Sequence, residues 1–379
     1  MNSSEYRTGD STRTRRNSLS RIGRQLIRVL TVLVLVLVGG ELFVRLFVGG
    51  PSPQTYDPEI GYAYLPHSKL FQTKEGHTRL QFNALGLNDE DIGSRNGRCR
   101  VLAIGDSYTA ALQVRRDQNF TSVAERLSPS LDVVNGGRDG LFFGDLHKVA
   151  ERLIPEVRPD LIVYVVSERA VTLDIALPQF RVAVDPITGK ITDAIMQVEQ
   201  QEKLKQLFGP LLNGSALATR LSAQFKPMAV EAVRQLEFWR GLRGPQSNDV
   251  AKTHALSTPS PEEILAFSFR RFQADSPAAI LFINGLTYAP DGSATVGSSS
   301  RTAEELTRRA AMFAGIPMRS TGSYLIDAAS RERQPPYGFT NAILPGGHLN
   351  KRGHAAIARA LVDLLQGARP LLAAECSAP

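Results

Sequence analysis

The most regular feature of the chain after its first hundred residues is a series of short, nearly uninterrupted apolar runs. Between them, apolar residues recur at helical spacing. Continuous apolar runs of this length are typical of strands buried on both faces. The predicted strands are Val101–Ile104, Leu131–Val134, Leu161–Val166, Ala279–Ile283 and Tyr324–Ile326. The predicted helices are Phe120–Leu127, Asp145–Val157, Ala303–Ala314 and Lys351–Leu365.

The order of these elements predicts the fold class. Strands that alternate with helices favour an α/β architecture, with a central parallel sheet covered by helices on both faces. Residues 175–270 interrupt the alternation and are interpreted as an insertion. Within it, Phe180–Val184 and Lys190–Thr192 flank a turn with Pro and Gly and predict a β-hairpin, and Gln197–Phe208 and Met228–Leu242 read as helices.

A second hydrophobic pattern lies near the N-terminus. Residues 29–48 are apolar apart from Thr31, Glu41 and Arg45, and they are long enough to cross a bilayer. Glu41 and Arg45 are four residues apart, so on a helix their charges can neutralise each other. The sequence therefore predicts a signal anchor at 29–48, with a cleaved signal peptide as the alternative, although no Ala-x-Ala-like cleavage site follows. Residues 49–98 are rich in Pro, Gly and turn residues and predict a stem or lead-in.

Charge supports this organisation and argues against one class of partner. Of the net charge of +7, residues 1–28 supply +5, with seven arginines against Glu5 and Asp10. Arginines before an apolar segment predict a cytoplasmic N-terminus and a body in the periplasm or outside the cell. The basic balance thus belongs to a tail, and we expect no nucleic-acid partner. The two cysteines, Cys99 and Cys376, do not form a disulfide framework, and the sequence gives no basis for pairing them.

Chemistry-bearing residues follow three of the predicted strands. Gly105-Asp106-Ser107 follows the first strand, the glycine-rich segment 135–140 follows the second, and Ser167-Glu168-Arg169 follows the third. Ligands of parallel sheets bind beyond the carboxyl ends of the strands, so we expect these segments to share one site. Backbone N–H groups of the glycine-rich loop are candidates for holding an oxyanion beside Ser107.

A histidine that could act with Ser107 stands near the other end of the chain. His348 follows Pro345-Gly346-Gly347, and Asn350 is placed to cap the following helix. This geometry predicts an imidazole projecting from a loop at a helix start. His354 lies inside the predicted helix and reads as structural. A serine beside a histidine is the minimum arrangement for acyl transfer.

At these motifs the sequence resembles the SGNH (GDSL-type) hydrolase superfamily, in its bacterial membrane-anchored branch. The resemblance runs from about residue 57 to 365. Its motifs are Asp-Pro-Glu-x-Gly at 57–61, Asn-x-x-Gly at 83–86, Gly-Asp-Ser-Tyr-Thr at 105–109 and His-x-Asn-x-x-Gly-His at 348–354. It implies a flavodoxin-like three-layer αβα sandwich over about 99–370. It also implies Ser107 as nucleophile, the N–H groups of Ser107 and Gly140 as oxyanion donors, and His348 as base.

Two positions depart from the family pattern. The third block normally ends in Asn-Asp, whereas Ser167-Glu168-Arg169 stands here, so Ser167 or Arg169 is the candidate replacement for the missing amide. The family places an acid two or three residues before the histidine, where this chain has Gly346 and Pro345. Asp327 and Glu168 are the candidates for an orienting acid supplied from elsewhere.

The resemblance and the predicted topology together lead to an expected function. We expect an extracytoplasmic, membrane-anchored serine esterase or O-acyltransferase that acts on an acylated glycan or small ester through an acyl-serine. The alternative is a catalytically impaired SGNH fold that binds polysaccharide or scaffolds cell-envelope assembly. We expect no cofactor and no metal, because neither a Gly-x-Gly-x-x-Gly nor a Walker motif nor a helical zinc motif occurs. A Gly-x-Ser-x-Gly elbow is also absent, which disfavours a lipase-type α/β-hydrolase.

Overall fold

The computed structural model describes residues 11–48, 53–57, 60–176, 180–196, 214–218, 221, 259–274 and 276–368. The chain divides into two compact units. The smaller comprises residues 1–52 and 211–243, and the larger comprises 53–210 and 244–379. The helices predicted at Gln197–Phe208 and Met228–Leu242 lie outside the described residues.

The smaller unit is built on one long helix, α1 (Ser11–Phe43), which continues as a π-helical turn over Val44–Val48. Within residues 23–47, an 18-residue stretch has a mean hydropathy of 2.3, so this helix is long and apolar enough to cross a membrane. A signal sequence near an N-terminus would have the same properties. The predicted pair between Glu41 and Arg45 is present, at 2.6 Å.

Glu41 also joins α1 to a short segment of the same unit. Its carboxylate accepts hydrogen bonds from the Ser215 hydroxyl and from the backbone N–H groups of Ala216 and Leu217, at 2.8–2.9 Å. Arg45 donates to the Gly214 carbonyl oxygen. The charges in the apolar helix are therefore compensated by each other and by backbone groups of residues 214–217.

The larger unit begins with two antiparallel hairpins. The first pairs β1 (Gln54–Asp57) with β2 (Gly61–Tyr64), and the second pairs β3 (Lys69–Gln72) with β4 (Thr78–Gln81). Residues 73–77 form the turn of the second hairpin. The segment predicted as a stem or lead-in thus contains ordered β-structure that belongs to the larger unit.

A five-stranded parallel sheet forms the centre of the larger unit. Its strands are β5 (Cys99–Gly105), β6 (Leu131–Asn135), β7 (Leu161–Ser167), β10 (Ala278–Ile283) and β13 (Met318–Ser320). Their order is β13-β10-β7-β5-β6, with every neighbouring pair parallel. This is the flavodoxin-like order, whose topological switch point lies between β5 and β7. Two hairpins, β8 (Phe180–Val184) with β9 (Ile191–Met196) and β11 (Leu286–Tyr288) with β12 (Ala294–Val296), lie outside this sheet.

Helices cover both faces of the sheet and complete the predicted three-layer sandwich. Side chains of β5 alternate between two cores, with Leu102 and Ile104 on one side and Val101 and Ala103 on the other. The first core is closed by α4 (Leu146–Val157), α5 (Pro261–Phe272) and α6 (Ser298–Ala314). The second is closed by α3 (Phe120–Leu127), α7 (Gly322–Glu332) and α8 (Lys351–Gly367).

The prediction of a strand at Tyr324–Ile326 is wrong. These residues lie in α7, where Leu325 faces the core, and the fifth strand is β13, a few residues earlier. An apolar run of three residues carries too little periodicity to separate a strand from a buried helical turn. Most of helix α5 lies within the range interpreted as an insertion, yet Leu265 and Phe269 are fully buried in the first core.

Strand β6 is an edge strand, and carboxylates satisfy its outward N–H groups. Asp89 accepts from the backbone N–H of Asn135 at 2.6 Å, and Glu125 accepts from that of Val133 at 3.1 Å. Such bonds block the pairing of another strand at this edge. Burial raises the pKa of Asp89 to about 7. The folded protein therefore takes up a proton here between pH 4 and 7 that the unfolded chain does not, and stability falls as pH rises through this window.

We predict that Asp89→Asn stabilises the protein at pH 8 and leaves its stability at pH 4 unchanged. The amide oxygen can still accept from Asn135, and the cost of a buried charge disappears. The N–H of Glu90 loses its acceptor on the other Asp89 oxygen, but Glu90 is exposed, so water can replace it. We expect a gain of about 1–2 kcal/mol in the free energy of unfolding, a value that allows for partial exposure of Asp89. Urea titration of the full chain by circular dichroism at both pH values measures it. Glu90→Gln, in a surface ion pair with Arg116, is the control. Equal effects of Asp89→Asn at pH 4 and pH 8 would contradict the pKa argument.

Candidate active site

Ser107 stands at the switch point of the sheet. It directly follows β5 and Asp106 and opens a four-residue helix, α2 (Ser107–Ala110). The Asp106 carboxylate caps this helix by accepting from the backbone N–H of Tyr108 at 3.0 Å. The same carboxylate accepts from the Ser167 hydroxyl at the end of β7, at 3.1 Å. Through these two hydrogen bonds, Asp106 connects the carboxyl ends of β5 and β7, the strands on either side of the switch point.

His348 is brought to Ser107 by the loop that precedes α8. Asn350 caps α8 by accepting from the backbone N–H of Arg352 at 2.9 Å, as its position in the sequence predicted. The Nε2 atom of His348 lies 2.9 Å from the Ser107 hydroxyl oxygen, although 241 positions separate the two residues in the chain. A serine hydroxyl at this distance can donate its proton to a neutral imidazole.

The carboxylate beside the other ring nitrogen belongs to Glu75. It lies in the turn between β3 and β4, and its Oε2 atom is hydrogen-bonded to His348 Nδ1. The same oxygen accepts from the backbone N–H of His348 at 3.3 Å. Ser107, His348 and Glu75 therefore form a connected hydrogen-bond chain with the arrangement of a serine–histidine–acid triad, drawn from three distant parts of the sequence.

Gly347 creates the space through which Glu75 reaches the histidine. It has a φ of +78°, in the left-handed region that favours glycine. A Cβ atom at this position would lie 2.4 Å from the Glu75 carboxylate. An acid at position 345 or 346 is therefore unnecessary here, because the carboxylate arrives from the β3–β4 turn.

The two acids considered from the sequence lie elsewhere. Asp327 lies on α7 and forms ion pairs with Arg331 at 2.7 Å and Arg359 at 3.9 Å. Glu168 lies just after β7, where it lines a cavity, and its Oε2 atom is close to Gly285. Among the described residues, only Glu75 is within hydrogen-bond distance of the His348 ring on the Nδ1 side.

The two candidate replacements for the missing third-block amide are both engaged with other groups. The hydroxyl of Ser167 donates to Asp106. The Arg169 guanidinium pairs with Asp174 at 3.5 Å and lies over the Phe142 ring. The Ser167 hydroxyl proton is therefore committed to Asp106. Arg169 uses its Nε atom for Asp174, and its guanidinium has further N–H donors.

The glycine-rich loop after β6 packs tightly against the nucleophile helix. A Cβ at Gly137 would lie 2.3 Å from the backbone nitrogen of Ala110, so only glycine fits there. Gly140 has a φ of +76° and open space on its Cβ side. No hydrogen bond within the described residues engages the N–H of Ser107 or of Gly140. Both backbone donors therefore remain available to a ligand.

A small cavity of about 170 Å³ adjoins the triad. Tyr108 and Tyr337 line it, together with Glu168, Arg169, Leu173 and Gly285. Tyr108 links the cavity to the triad, since its ring centroid lies 5.5 Å from that of His348. Burial, together with the charges of Asp106, Glu75 and Glu168, raises the pKa of Tyr108 to about 12, so it is a neutral phenol at physiological pH.

Other titratable groups near the site are structural or electrostatic in role. Burial raises the pKa of Asp106, although hydrogen bonds from Tyr108 and Ser167 oppose the shift. His354 is buried in α8 and stacked parallel to Phe120. Burial lowers the pKa of His354 to about 3, so it is neutral. Within the part of the chain that the structure describes, no cluster of His, Cys, Asp and Glu side chains could hold a metal ion.

The sequence pointed to Ser107, His348 and Gly140 as candidates, and the structure brings Ser107 and His348 together, but the sequence did not point to Glu75. Glu75 lies in a polar hairpin turn of the lead-in, and no local pattern marks it as part of a site. The one relevant signal was negative. Gly346 and Gly347 carry no side chain, so the space beside the His348 ring stays open. A carboxylate from another loop can enter this space.

Comparisons with known proteins find likeness in structure and none in sequence. No protein-family model and no curated protein matches the chain. Solved structures that match include a lipase/acylhydrolase from Enterococcus faecalis, at 12% identity and a TM-score of 0.35, covering 71% of this chain and 96% of that one. An acetyl xylan esterase from Geobacillus stearothermophilus matches at 12% identity and a TM-score of 0.34, covering 72% of this chain and 97% of that one.

A member of the lipolytic G-D-S-L family from Veillonella parvula DSM 2008 also matches, at 10% identity and a TM-score of 0.34, covering 71% of this chain and 98% of that one. At this level of identity, the activity of this chain has to be inferred from its own side chains.

We predict that Glu75→Gln slows the reaction of Ser107 with a fluorophosphonate probe by about 10²–10⁴-fold, because an amide no longer stabilises the imidazolium or fixes its tautomer. Asp327→Asn is the matched control and should react within about twofold of the wild type. Labelling rates at a fixed probe concentration give both values. If Asp327→Asn were the slower variant, or if Glu75→Gln reacted at the wild-type rate, Glu75 would not be the orienting acid.

Proposed function

We propose that this chain is a serine hydrolase or acyltransferase of the SGNH type that acts on acyl esters through an acyl-serine intermediate. The observation that carries the proposal is the unbroken hydrogen-bond chain from the Ser107 hydroxyl through His348 to Glu75. Each link has the donor and acceptor that nucleophilic catalysis by serine requires.

In the first half-reaction, the Ser107 oxygen attacks the acyl carbonyl and its proton passes to Nε2 of His348. Glu75 stabilises the resulting imidazolium by accepting from Nδ1. The N–H groups of Ser107 and Gly140 bind the oxyanion. When the tetrahedral intermediate collapses, the ester C–O bond breaks and His348 returns the proton to the leaving alcohol.

In the second half-reaction, water or a sugar hydroxyl attacks the acyl-serine. His348 takes the proton of this nucleophile and then gives it to the Ser107 oxygen as the acyl bond breaks. With water the product is a carboxylic acid, and with a sugar hydroxyl it is a new ester. The small cavity beside Tyr108 and His348 favours a short acyl group such as acetyl. We propose an acylated glycan as the substrate, because a protein at the cell envelope would meet envelope polysaccharide.

One observation favours a second candidate function, a polysaccharide-binding or scaffolding protein with an impaired site. The third-block amide is missing, and both Ser167 and Arg169 are engaged with acidic partners. Loss of one oxyanion donor costs about 10²–10³ in rate. A protein that binds acylated glycan and turns it over slowly would fit this arrangement.

We also propose that the catalytic unit is extracytoplasmic and anchored by residues 29–48. The arginine-rich tail before the apolar segment supports this orientation. Cys99, at the start of β5, is disulfide-bonded, which the sequence alone did not predict, and disulfides are typical of oxidising compartments. The sequence has one other cysteine, Cys376, which lies outside the described residues.

We predict that the full-length protein hydrolyses p-nitrophenyl acetate and releases acetate from O-acetylated polysaccharide. Ser107→Ala should lower both rates by at least about 10³-fold, because the remaining groups cannot form an acyl intermediate. Release of p-nitrophenol and of acetate measures the two activities. If the wild type showed no activity, and both the wild type and Ser107→Ala bound polysaccharide with the same affinity, the result would support the binding function instead.

We predict that a cysteine at Ser293, an exposed residue of the β11–β12 turn, reacts with a membrane-impermeant maleimide in intact cells. A cysteine at Ser4, in the basic tail, should react only after the membrane is permeabilised. Gel-shift labelling of both variants gives the topology. The opposite labelling pattern would overturn the orientation. A mature chain that starts after residue 48, as seen by mass spectrometry, would overturn the anchor.

A further inference from the structure

The turn that carries Glu75 is held from the side by the loop that carries His348. This loop runs from about residue 335 to 350, between α7 and α8. Its own ends are closely tied, since the N–H of Gly338 donates to the His348 carbonyl oxygen at 2.8 Å. Asn350 donates from its side chain to the carbonyl oxygens of Pro335 and Gly338. The loop is therefore a fixed frame around His348.

Asn341 is the residue of this frame that reaches the β3–β4 turn. Its side-chain NH₂ donates to the carbonyl oxygen of Thr73 at 3.0 Å and to that of Gly76 at 3.1 Å. Its side-chain oxygen accepts from the backbone N–H of Gly76 at 2.9 Å. One amide thus binds the backbone on both sides of Glu75, in the way that a paired strand would.

The neighbourhood of Gly76 shows that the contact is close rather than incidental. Gly76 has a φ of +69°, and a Cβ there would lie 2.4 Å from the Gln113 carbonyl oxygen and 3.2 Å from the Phe339 ring. Phe339 belongs to the same frame as Asn341. The β3–β4 turn therefore packs between the loop at residues 335–350 and the backbone of Gln113. Glu75 projects from this turn towards His348.

We infer that Asn341 is a positioning residue of the triad, which fixes the Glu75 turn so that the carboxylate meets both N–H groups of His348. Asn341 does not touch the reacting atoms; it acts through the backbone of residues 73–76. The inference rests on the proposed function for its effect on rate, but the contact between Glu75 and His348 can be measured without it.

Exposure separates this role from general packing. Asn341 is exposed, as is its neighbour Thr340, so replacing either removes little buried area. Hydrogen bonds alone distinguish the two positions, since only Asn341 bridges to the turn. A variant at Asn341 should therefore disturb the Glu75 turn much more than a variant at Thr340 does.

The kinetic test is a double-mutant cycle with the full-length protein and p-nitrophenyl acetate. Asn341→Ala should lower kcat by about 10- to 100-fold with KM within about twofold, because a displaced acid affects the transition state. Thr340→Ala should match the wild type. Asn341→Asp keeps the acceptor for Gly76 but loses both donated bonds, and should be as slow as Asn341→Ala.

In the Glu75→Gln background, Asn341→Ala should have no further effect on kcat, because the residue it positions is already disabled. Equal effects of Asn341→Ala in both backgrounds would overturn the inference, since that result is expected of a merely structural residue. A wild-type kcat in Asn341→Ala would overturn it as well.

The structural test needs no activity. In the full-length protein labelled with ¹⁵N-histidine, the Nδ1–H proton of His348 should give a downfield resonance, assigned by its loss in Glu75→Gln. Asn341→Ala should weaken or shift this signal, and Thr340→Ala should leave it in place. If the wild type proved inactive while this pattern held, the proposed function would fail and the positioning role would stand. An unchanged signal in Asn341→Ala would overturn the role, whatever the activity.

Discussion

The candidate site depends on one carboxylate that binds two N–H groups of the same residue. Glu75 accepts from the backbone N–H and the ring Nδ1 of His348. The first contact fixes the position of the residue, and the second fixes the tautomer, so that Nε2 is left as the acceptor for Ser107. Without this carboxylate, the imidazole would lose its hydrogen-bond partner at Nδ1 and keep only its contacts with Ser107 and Tyr108.

Much of the surrounding structure serves this contact. Gly347 removes the side chain that would block the carboxylate, and the β3–β4 turn carries the acid to it. The sheet places Ser107 at the end of a strand at the switch point, where the helices that follow β5 and β7 lie on opposite faces and leave a crevice. Strand and helix thus place Ser107, while loops place its two partners.

The sequence predicted the sheet well, for a physical reason. Strands such as β5 and β7 are buried on both faces, so their central residues, 101–104 and 161–166, form nearly uninterrupted apolar runs that are easy to recognise. The strand ends then located Ser107, because ligands of such sheets gather at one edge. The short strand β13 lacks this signal, since it is three residues long and only partly buried, and the neighbouring apolar run at Tyr324–Ile326 turned out to be helical.

Glu75 was beyond reach because its role is set by tertiary contact alone. A glutamate in a polar turn is ordinary in sequence, and nothing local points it at a histidine 273 positions away. The same applies to the third block, where Ser167 was a candidate donor from sequence but its hydroxyl is engaged by Asp106.

The spread of the triad along the chain has a consequence for biosynthesis. The acid is made early and the base is made last, with the nucleophile between them. A ribosome-bound chain whose residues around 348 are still inside the ribosome cannot bring His348 to Ser107, so the Ser107 hydroxyl lacks its hydrogen-bond partner. Under the proposed mechanism, the serine is activated only after the segment that carries His348 has been made, so an unfinished chain has no activated serine.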